Sequence, residues 1–162
     1  MVSPASSGPA GSIFEGQVAA TYLLSMLIGS EPRGLPGTII DQVKLQRAED
    51  GYPLDDVIIC AHDEFGEPAT LEIQVKRSIS FAPHDRVFKK IVEQIAKVSI
   101  KPEFWIQRYE LAIATAQTSR QIDHSYLEVL NWARNVGDAA TFFARINRKL
   151  LRPPLFNPQH QF

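Results

Sequence analysis

Three β-rich segments separated by short turns place the strongest constraint on the fold of this chain. They cover residues 38–45, 56–61 and 70–77, and both connections contain Gly and Pro. Strands joined by short turns usually pair as antiparallel neighbours. A fourth β-rich segment, residues 109–116, follows a predicted helix long enough for a crossover, which favours parallel pairing. The sequence therefore predicts a mixed sheet.

The third segment alternates strictly between apolar and polar side chains, which predicts a strand with two different faces. One face carries Leu71, Ile73 and Val75, and the other carries Glu72, Gln74 and Lys76. Two adjacent aspartates, Asp55 and Asp56, precede the apolar run of the second segment. A solvated sheet face is one explanation of this polar pattern. A metal-dependent active site is the other.

Helical spacing of apolar residues surrounds these strands. Residues 13–28 carry apolar side chains on nearly every side and end at Gly29, which predicts a mostly buried helix. The predicted crossover helix has Asp85 as its N-cap, and two more helices are predicted over 122–133 and 139–151. The order αβββαβαα indicates an α/β fold with helices on both faces of the sheet.

Length and composition indicate one globular domain. The chain has 162 residues, of which 44% are hydrophobic and 22% are charged. We predict this domain over residues 13–151, between a flexible tail at 1–12 and a proline-rich tail or linker at 152–162. The sequence has neither an apolar run of membrane-spanning length nor a signal-peptide pattern, so we expect a cytoplasmic protein without membrane contact. A net charge of −1 gives no overall attraction to nucleic acid.

The motifs in these elements resemble the PD-(D/E)XK nuclease superfamily. The match consists of an aspartate at the second strand, Gln74-Val75-Lys76 at the end of the third strand and Glu15 in the first helix. Glutamine in place of the second acid resembles the Mrr-like branch. The segments "LDDVII", "EIQVKRS" and "LAIATAQTS" are similar to the N-terminal nuclease domains of bacterial antiphage effectors of the CD-NTase-associated double-stranded DNA endonuclease type. This resemblance implies a restriction-endonuclease-like αβββαβ core, here with two additional C-terminal helices.

The resemblance also implies metal-dependent cleavage of duplex DNA with little sequence specificity. It assigns Asp56 as the main Mg²⁺ ligand, with Gln74 and Glu15 as further ligands and Mn²⁺ as a substitute ion. Strand parity alone leaves Asp55 open, and Asp56 is preferred because the resemblance places the essential acid directly before the hydrophobic run. Lys76 would either stabilise the transition state, which we favour, or help to orient or deprotonate the attacking water.

Further polar residues have two interpretations each. Glu72 shares a face with Gln74 and Lys76, so ligation competes with an indirect or solvated role. Four basic residues near the crossover helix are candidates for contacts with DNA phosphates: Arg77, Arg86, Lys89 and Lys90. The alternative for the two lysines is that they solvate the outer face of an amphipathic helix.

Two other functions are compatible with the same motifs. One is a catalytically inactive member of the fold that binds nucleic acid or drives assembly, and the other is a restriction or repair nuclease. The resembling effectors join the nuclease to a sensor, ATPase or nucleotide-sensing module that clusters it. We therefore expect such a module as a fusion or partner, activity as an oligomer, and low activity of the isolated chain.

Overall fold

A computed structural model describes residues 8–82, 84–116 and 120–150 of the chain. Its strands are β1 (Thr38–Leu45), β2 (Val57–Asp63), β3 (Pro68–Lys76) and β4 (Arg108–Thr115). Its α-helices are α1 (Pro9–Ile28), α2 (Arg86–Ser99), α3 (Glu103–Ile106), α4 (Arg120–Asn135) and α5 (Ala139–Leu150), and a 3₁₀ turn covers Ala48–Asp50. The predicted order of strands and long helices is confirmed. The sequence analysis did not predict α3 or the 3₁₀ turn.

The chain divides into two compact units, Met1–Ala116 and Gln117–Phe162. The first unit contains the sheet with α1, α2 and α3, and the second contains α4 and α5. The single domain predicted over 13–151 spans both units and stays a prediction. The flexible tail predicted at 1–12 is helical from Pro9 onwards. The tail predicted at 152–162 lies outside the described residues.

The four strands form one mixed sheet in the order β1-β2-β3-β4. The first three strands are antiparallel neighbours, and β4 pairs with β3 in parallel. The predicted mixed sheet is therefore confirmed. In the β2–β3 hairpin, Asp63 accepts hydrogen bonds from the backbone N–H groups of Phe65 and Glu67 at 2.8 and 2.9 Å. Gly66 completes the turn with φ of 81°, a conformation that costs glycine little.

One face of the sheet packs against α1. The buried cluster on this side combines Ala19 and Tyr22 of α1 with alternate residues of the strands, namely Ile40, Val57, Ile59, Ala61, Ala69, Leu71, Ile73 and Val75. The alternation of β3 thus sorts its side chains as predicted. Tyr22 also donates its hydroxyl to the carbonyl of Arg33 at 3.1 Å.

The prediction that α1 is mostly buried was wrong. Six large apolar side chains of this helix are exposed: Ile13, Leu23, Leu24, Met26, Leu27 and Ile28. A single helix lying on one face of a sheet buries only one stripe of its circumference, so apolar residues on the remaining sides stay in contact with solvent. Among the described residues, no helix is both long and apolar enough to cross a membrane.

The opposite face of the sheet is also buried, although its side chains are partly polar. Ile58, Glu72 and Gln74 have at most 3% of their surface exposed. The segment after β3 contributes to this side, since Gln94 of α2 and Lys101 hydrogen bond to Pro53 and Glu72. The N-cap of α2 is Asp85, as predicted, and accepts from the N–H groups of Val87 and Phe88. A solvated polar face of β3 is thereby excluded at positions 72 and 74.

Candidate metal centre

The register of the β2–β3 hairpin brings Asp56 to the end of β3. Val57 pairs with Ile73, and β2 begins at Val57. The last residues of β3 therefore extend beyond the start of β2. These residues still pair with β4 on their other side. Asp56, one residue before β2, turns its carboxylate toward the side of β3 that β2 no longer covers and accepts from the N–H of Val75 at 2.7 Å. A side chain replaces the strand partner that the backbone no longer supplies.

Three donors converge on one oxygen of the Asp56 carboxylate. Besides Val75 N, Oδ2 accepts from Nε2 of Gln74 and from Nζ of Lys76, the latter at 3.1 Å. Lys76 Nζ also donates to the Val75 carbonyl at 2.9 Å. The side chains of Asp56 and Lys76 are 15% and 30% exposed, so their ion pair is partly accessible to solvent. The structure thus joins the predicted aspartate, glutamine and lysine in one cluster.

Gln74 is incompletely satisfied in this cluster. Its Oε1 atom is buried and is the one side-chain N or O atom among the buried described residues that has no hydrogen-bond partner. A buried polar atom without a partner costs free energy, typically about 1–3 kcal/mol, and calls for an explanation such as an ion or a water. An amide oxygen is a good ligand for a hard cation. Together with the Asp56 carboxylate, Oε1 would supply two oxygen ligands of different kinds.

Asp55 is excluded from these hydrogen bonds. Its side chain is half-buried, and burial is the main cause that raises the pKa of this carboxyl group. The negative charge of Asp56 adds to that increase, whereas Lys76 and Lys90 oppose it. Of the two aspartates that sequence parity left open, Asp56 is therefore the one that contacts Gln74 and Lys76.

Glu15 does not hydrogen bond to Asp56, Gln74 or Lys76. It lies on α1 and accepts from Nε2 of Gln46 at 3.0 Å. The backbone N–H of Gln46 in turn donates to the Asp56 carbonyl at 3.2 Å. The predicted third ligand is thus connected to the cluster through one intervening residue, and its role as a ligand stays a prediction.

Glu72 is fully buried and belongs to a separate hydrogen-bond network. Its side chain has no exposed surface, and it accepts from the N–H of Leu54 at 2.9 Å, from Nζ of Lys101 at 3.2 Å and from the hydroxyl of Tyr109. Burial, followed by the bond to Glu72 and its charge, raises the pKa of Tyr109. Both Glu72 oxygens are occupied by protein donors. Of the roles weighed for Glu72, neither ligation nor solvation fits this geometry.

The four predicted phosphate-binding residues are exposed. Arg77 follows β3, while Arg86, Lys89 and Lys90 lie in the first half of α2. The positive charge of Lys90 slightly opposes the increase in the pKa of Asp55. The geometry is compatible with a phosphate contact at Lys90 and also with a solvated helix face at Lys89.

The oxygen atoms at Asp56 and Gln74 suit Mg²⁺ or Mn²⁺ better than zinc or copper, which prefer nitrogen or sulfur ligands. In the described ranges, no three His, Cys, Asp or Glu side chains are grouped to hold a metal ion. Mg²⁺ takes oxygen ligands and commonly retains several waters, so one or two carboxylates suffice. The carboxylate of Asp56 fits that requirement, and Oε1 of Gln74 would fit it after a turn of the amide, because Nε2 now faces Asp56.

Several residues of the site were not found from the sequence. Val75 contributes a backbone N–H, which has no side-chain signal, and Gln46 lies in a polar turn. Lys101 and Tyr109 reach Glu72 from 29 and 37 residues away. Such pairings follow from the crossover and from the register of β3 with β4, which a single sequence does not specify. The one sequence signal for this network was the charge of Glu72 within an alternating strand.

Comparisons with models of known protein families, with curated proteins and with solved structures found no match to this chain.

We predict that Glu72→Ala lowers the free energy of unfolding by about 1–3 kcal/mol, because it leaves the buried N–H of Leu54 without an acceptor and Lys101 without its ion-pair partner. Urea denaturation followed by circular dichroism measures this change. Glu67→Ala is the matched control, since Glu67 is exposed at the hairpin and its removal should cost less than about 0.5 kcal/mol. Equal losses in the two variants would contradict the structural role of Glu72.

Proposed function

We propose that this chain is a metal-dependent DNA endonuclease with a restriction-endonuclease-like core. The observation that carries the proposal is the convergence of Gln74, Lys76 and the Val75 N–H on Asp56, beside a buried amide oxygen without a partner. The residues that resemble the PD-(D/E)XK motif are separated by 18 to 20 positions in sequence, yet they hydrogen bond to one another. A solvated strand face offers no reason for this arrangement.

The sheet supports the same proposal at a coarser level. Three antiparallel strands, a crossover helix and a fourth strand parallel to β3 are compatible with the αβββαβ core. The cluster lies where β2 begins and β3 ends, at one end of the two central strands of the sheet. Fold alone does not determine function, so the proposal depends on the cluster and not on the topology.

Asp56 and Gln74 would hold the divalent cation, Mg²⁺ or Mn²⁺. Bound there, the cation would supply charge neutralisation at the phosphate and activation of water. Asp56 is kept in position by the Val75 N–H, a backbone donor that does not depend on rotamer choice. Turning the Gln74 amide would direct Oε1 toward the ion and release Nε2 from Asp56. A neutral amide also leaves the site less negative for an incoming phosphate than a second carboxylate would.

Lys76 is placed to act on the phosphate. Its ammonium group bonds to Asp56 and to the Val75 carbonyl, and part of its surface is open to solvent. A phosphate oxygen arriving from that side would meet a fixed positive charge. Such a charge stabilises the negative charge that develops in phosphodiester hydrolysis without reorganisation during the reaction.

DNA binding would use four exposed basic residues. Arg77, Arg86, Lys89 and Lys90 would contact the phosphate backbone, and such contacts require no base-reading element. Duplex DNA cut with little sequence preference is the substrate class that this arrangement favours. We further propose that the domain is the effector of a bacterial antiphage system, acts in the cytoplasm, and is switched on when a fused or bound sensor module clusters it.

Cleavage of supercoiled plasmid DNA tests the proposed activity. We expect nicked and linear products with Mg²⁺ or Mn²⁺ and intact plasmid with EDTA. The protein should be assayed at high concentration and after clustering through a fused tetramerisation module. Intact DNA under all of these conditions would contradict the nuclease and favour a nucleic-acid-binding or assembly module of the same fold.

We predict that Lys76→Ala lowers the rate of plasmid cleavage by at least about 100-fold, because it removes a charge that acts mainly in the transition state. Duplex binding should change little, since the phosphate contacts of the ground state come largely from other residues. Lys97→Ala is the matched control, because Lys97 is an exposed lysine in the last turn of α2. A Lys76→Ala protein with wild-type cleavage would remove Lys76 from the proposed chemistry.

Asp56→Asn and Asp55→Asn form a second test, with Mn²⁺ affinity measured by electron paramagnetic resonance. We predict that the Asp56 variant loses Mn²⁺ binding and cleavage, because the carboxylate beside Gln74 is replaced by a neutral amide. The Asp55 variant should keep most of both, since its side chain does not hydrogen bond to the cluster. The reverse order would assign the metal to Asp55.

A further inference from the structure

The peptide unit between Pro53 and Leu54 is bonded at both of its polar groups by side chains from other elements. Gln94 of α2 donates Nε2 to the Pro53 carbonyl at 2.6 Å. The N–H of Leu54 donates to Glu72 of β3 at 2.9 Å. Leu54 itself has no exposed surface. Two side chains therefore fix the orientation of this peptide unit, which lies just before Asp55 and Asp56.

The two residues that follow β1 fix the backbone of Asp55 and Asp56. Gln46 and Arg47 donate their N–H groups to the carbonyls of Asp56 and Asp55 at 3.2 and 3.1 Å. Gln94 of α2 and Glu72 of β3 restrain the same segment from the other side, through their hydrogen bonds to the Pro53–Leu54 peptide. The Asp56 carboxylate accepts hydrogen bonds from three donors on β3. To keep that geometry, the backbone of Asp56 must be held within a fraction of an ångström.

One side of α2 faces the segment that leads into β2. Lys90 and Gln94 are four residues apart and lie on one face of the helix. Gln94 donates to the Pro53 carbonyl, and Lys90 lies one turn earlier on the same face of the helix. The hydrogen bond of Gln94 thus joins α2 to the segment before Asp55.

We infer that Gln94 is a positioning residue for Asp56 and links the metal centre to the helix proposed to contact DNA phosphate. This inference rests on the proposed function, because it concerns the ion held by Asp56 and Gln74. Gln94 acts through the Pro53–Leu54 peptide and touches neither the ion nor the substrate. Glu72 supports the same peptide from β3, so its buried network serves the site as well as the fold.

Gln94→Met tests the inference in the otherwise complete chain. Methionine has about the same length as glutamine and suits a helix, but it cannot donate to the Pro53 carbonyl. We expect the Mn²⁺ dissociation constant to rise about 10-fold and kcat for plasmid cleavage to fall by a similar factor, with KM for DNA unchanged. Gln42→Met, a matched change at an exposed glutamine of β1, should alter none of these values.

Three results would overturn the inference. Unchanged Mn²⁺ affinity and kcat in Gln94→Met would do so, and so would a lower melting temperature with wild-type Mn²⁺ affinity, which indicates a role in stability alone. In both cases, metal-dependent cleavage by the wild-type protein would show that the proposed function stands. If wild-type protein binds Mn²⁺ no better than Asp56→Asn, the proposed function fails as well. Gln94→Glu provides a second variant, because its added negative charge would by itself strengthen Mn²⁺ binding, whereas the lost hydrogen bond should weaken it.

Discussion

A glutamate with no exposed surface determines how the strands and the crossover segment meet. Burial of an unpaired carboxylate in the interior would be prohibitively costly, so Glu72 requires donors. Lys101 follows α2, Tyr109 belongs to β4, and Leu54 lies before β2. These three donors tie three separate parts of the first unit to the middle of β3. The path of the chain toward Asp56 is set by the same requirement.

Gln74, the next polar residue on the same face of β3, is not fully hydrogen bonded. Both oxygens of Glu72 have partners, whereas Oε1 of Gln74 has none among the described residues. Two polar side chains, equally buried and two positions apart, thus differ in whether the protein satisfies them. The complete network accounts for stability, and the incomplete one supports the proposed metal site. Asp56 and Lys76 are at the incomplete end, where the side chains reach solvent.

The sequence predicted features that follow from local pattern. Alternation in β3, the Asp85 cap and the mixed strand pairing depend on neighbouring residues or on connection length, and each is confirmed. The burial of α1 was predicted wrongly, because composition does not state how much of a helix the sheet covers. Contacts of Glu15 with Gln46 and of Glu72 with Tyr109 depend on register across distant segments. For the same reason parity could not choose between the two aspartates, while the hairpin register brings Asp56 to the end of β3.

The most direct test of this account is anomalous diffraction from crystals of the protein soaked with Mn²⁺. The account predicts a single strong peak within about 2.0–2.4 Å of an Asp56 carboxylate oxygen and of Gln74 Oε1, with the amide turned away from its bond to Asp56. Mn²⁺ bound at another position, or a saturated soak in which Gln74 still donates to Asp56 and no peak lies beside it, would contradict the proposed metal centre.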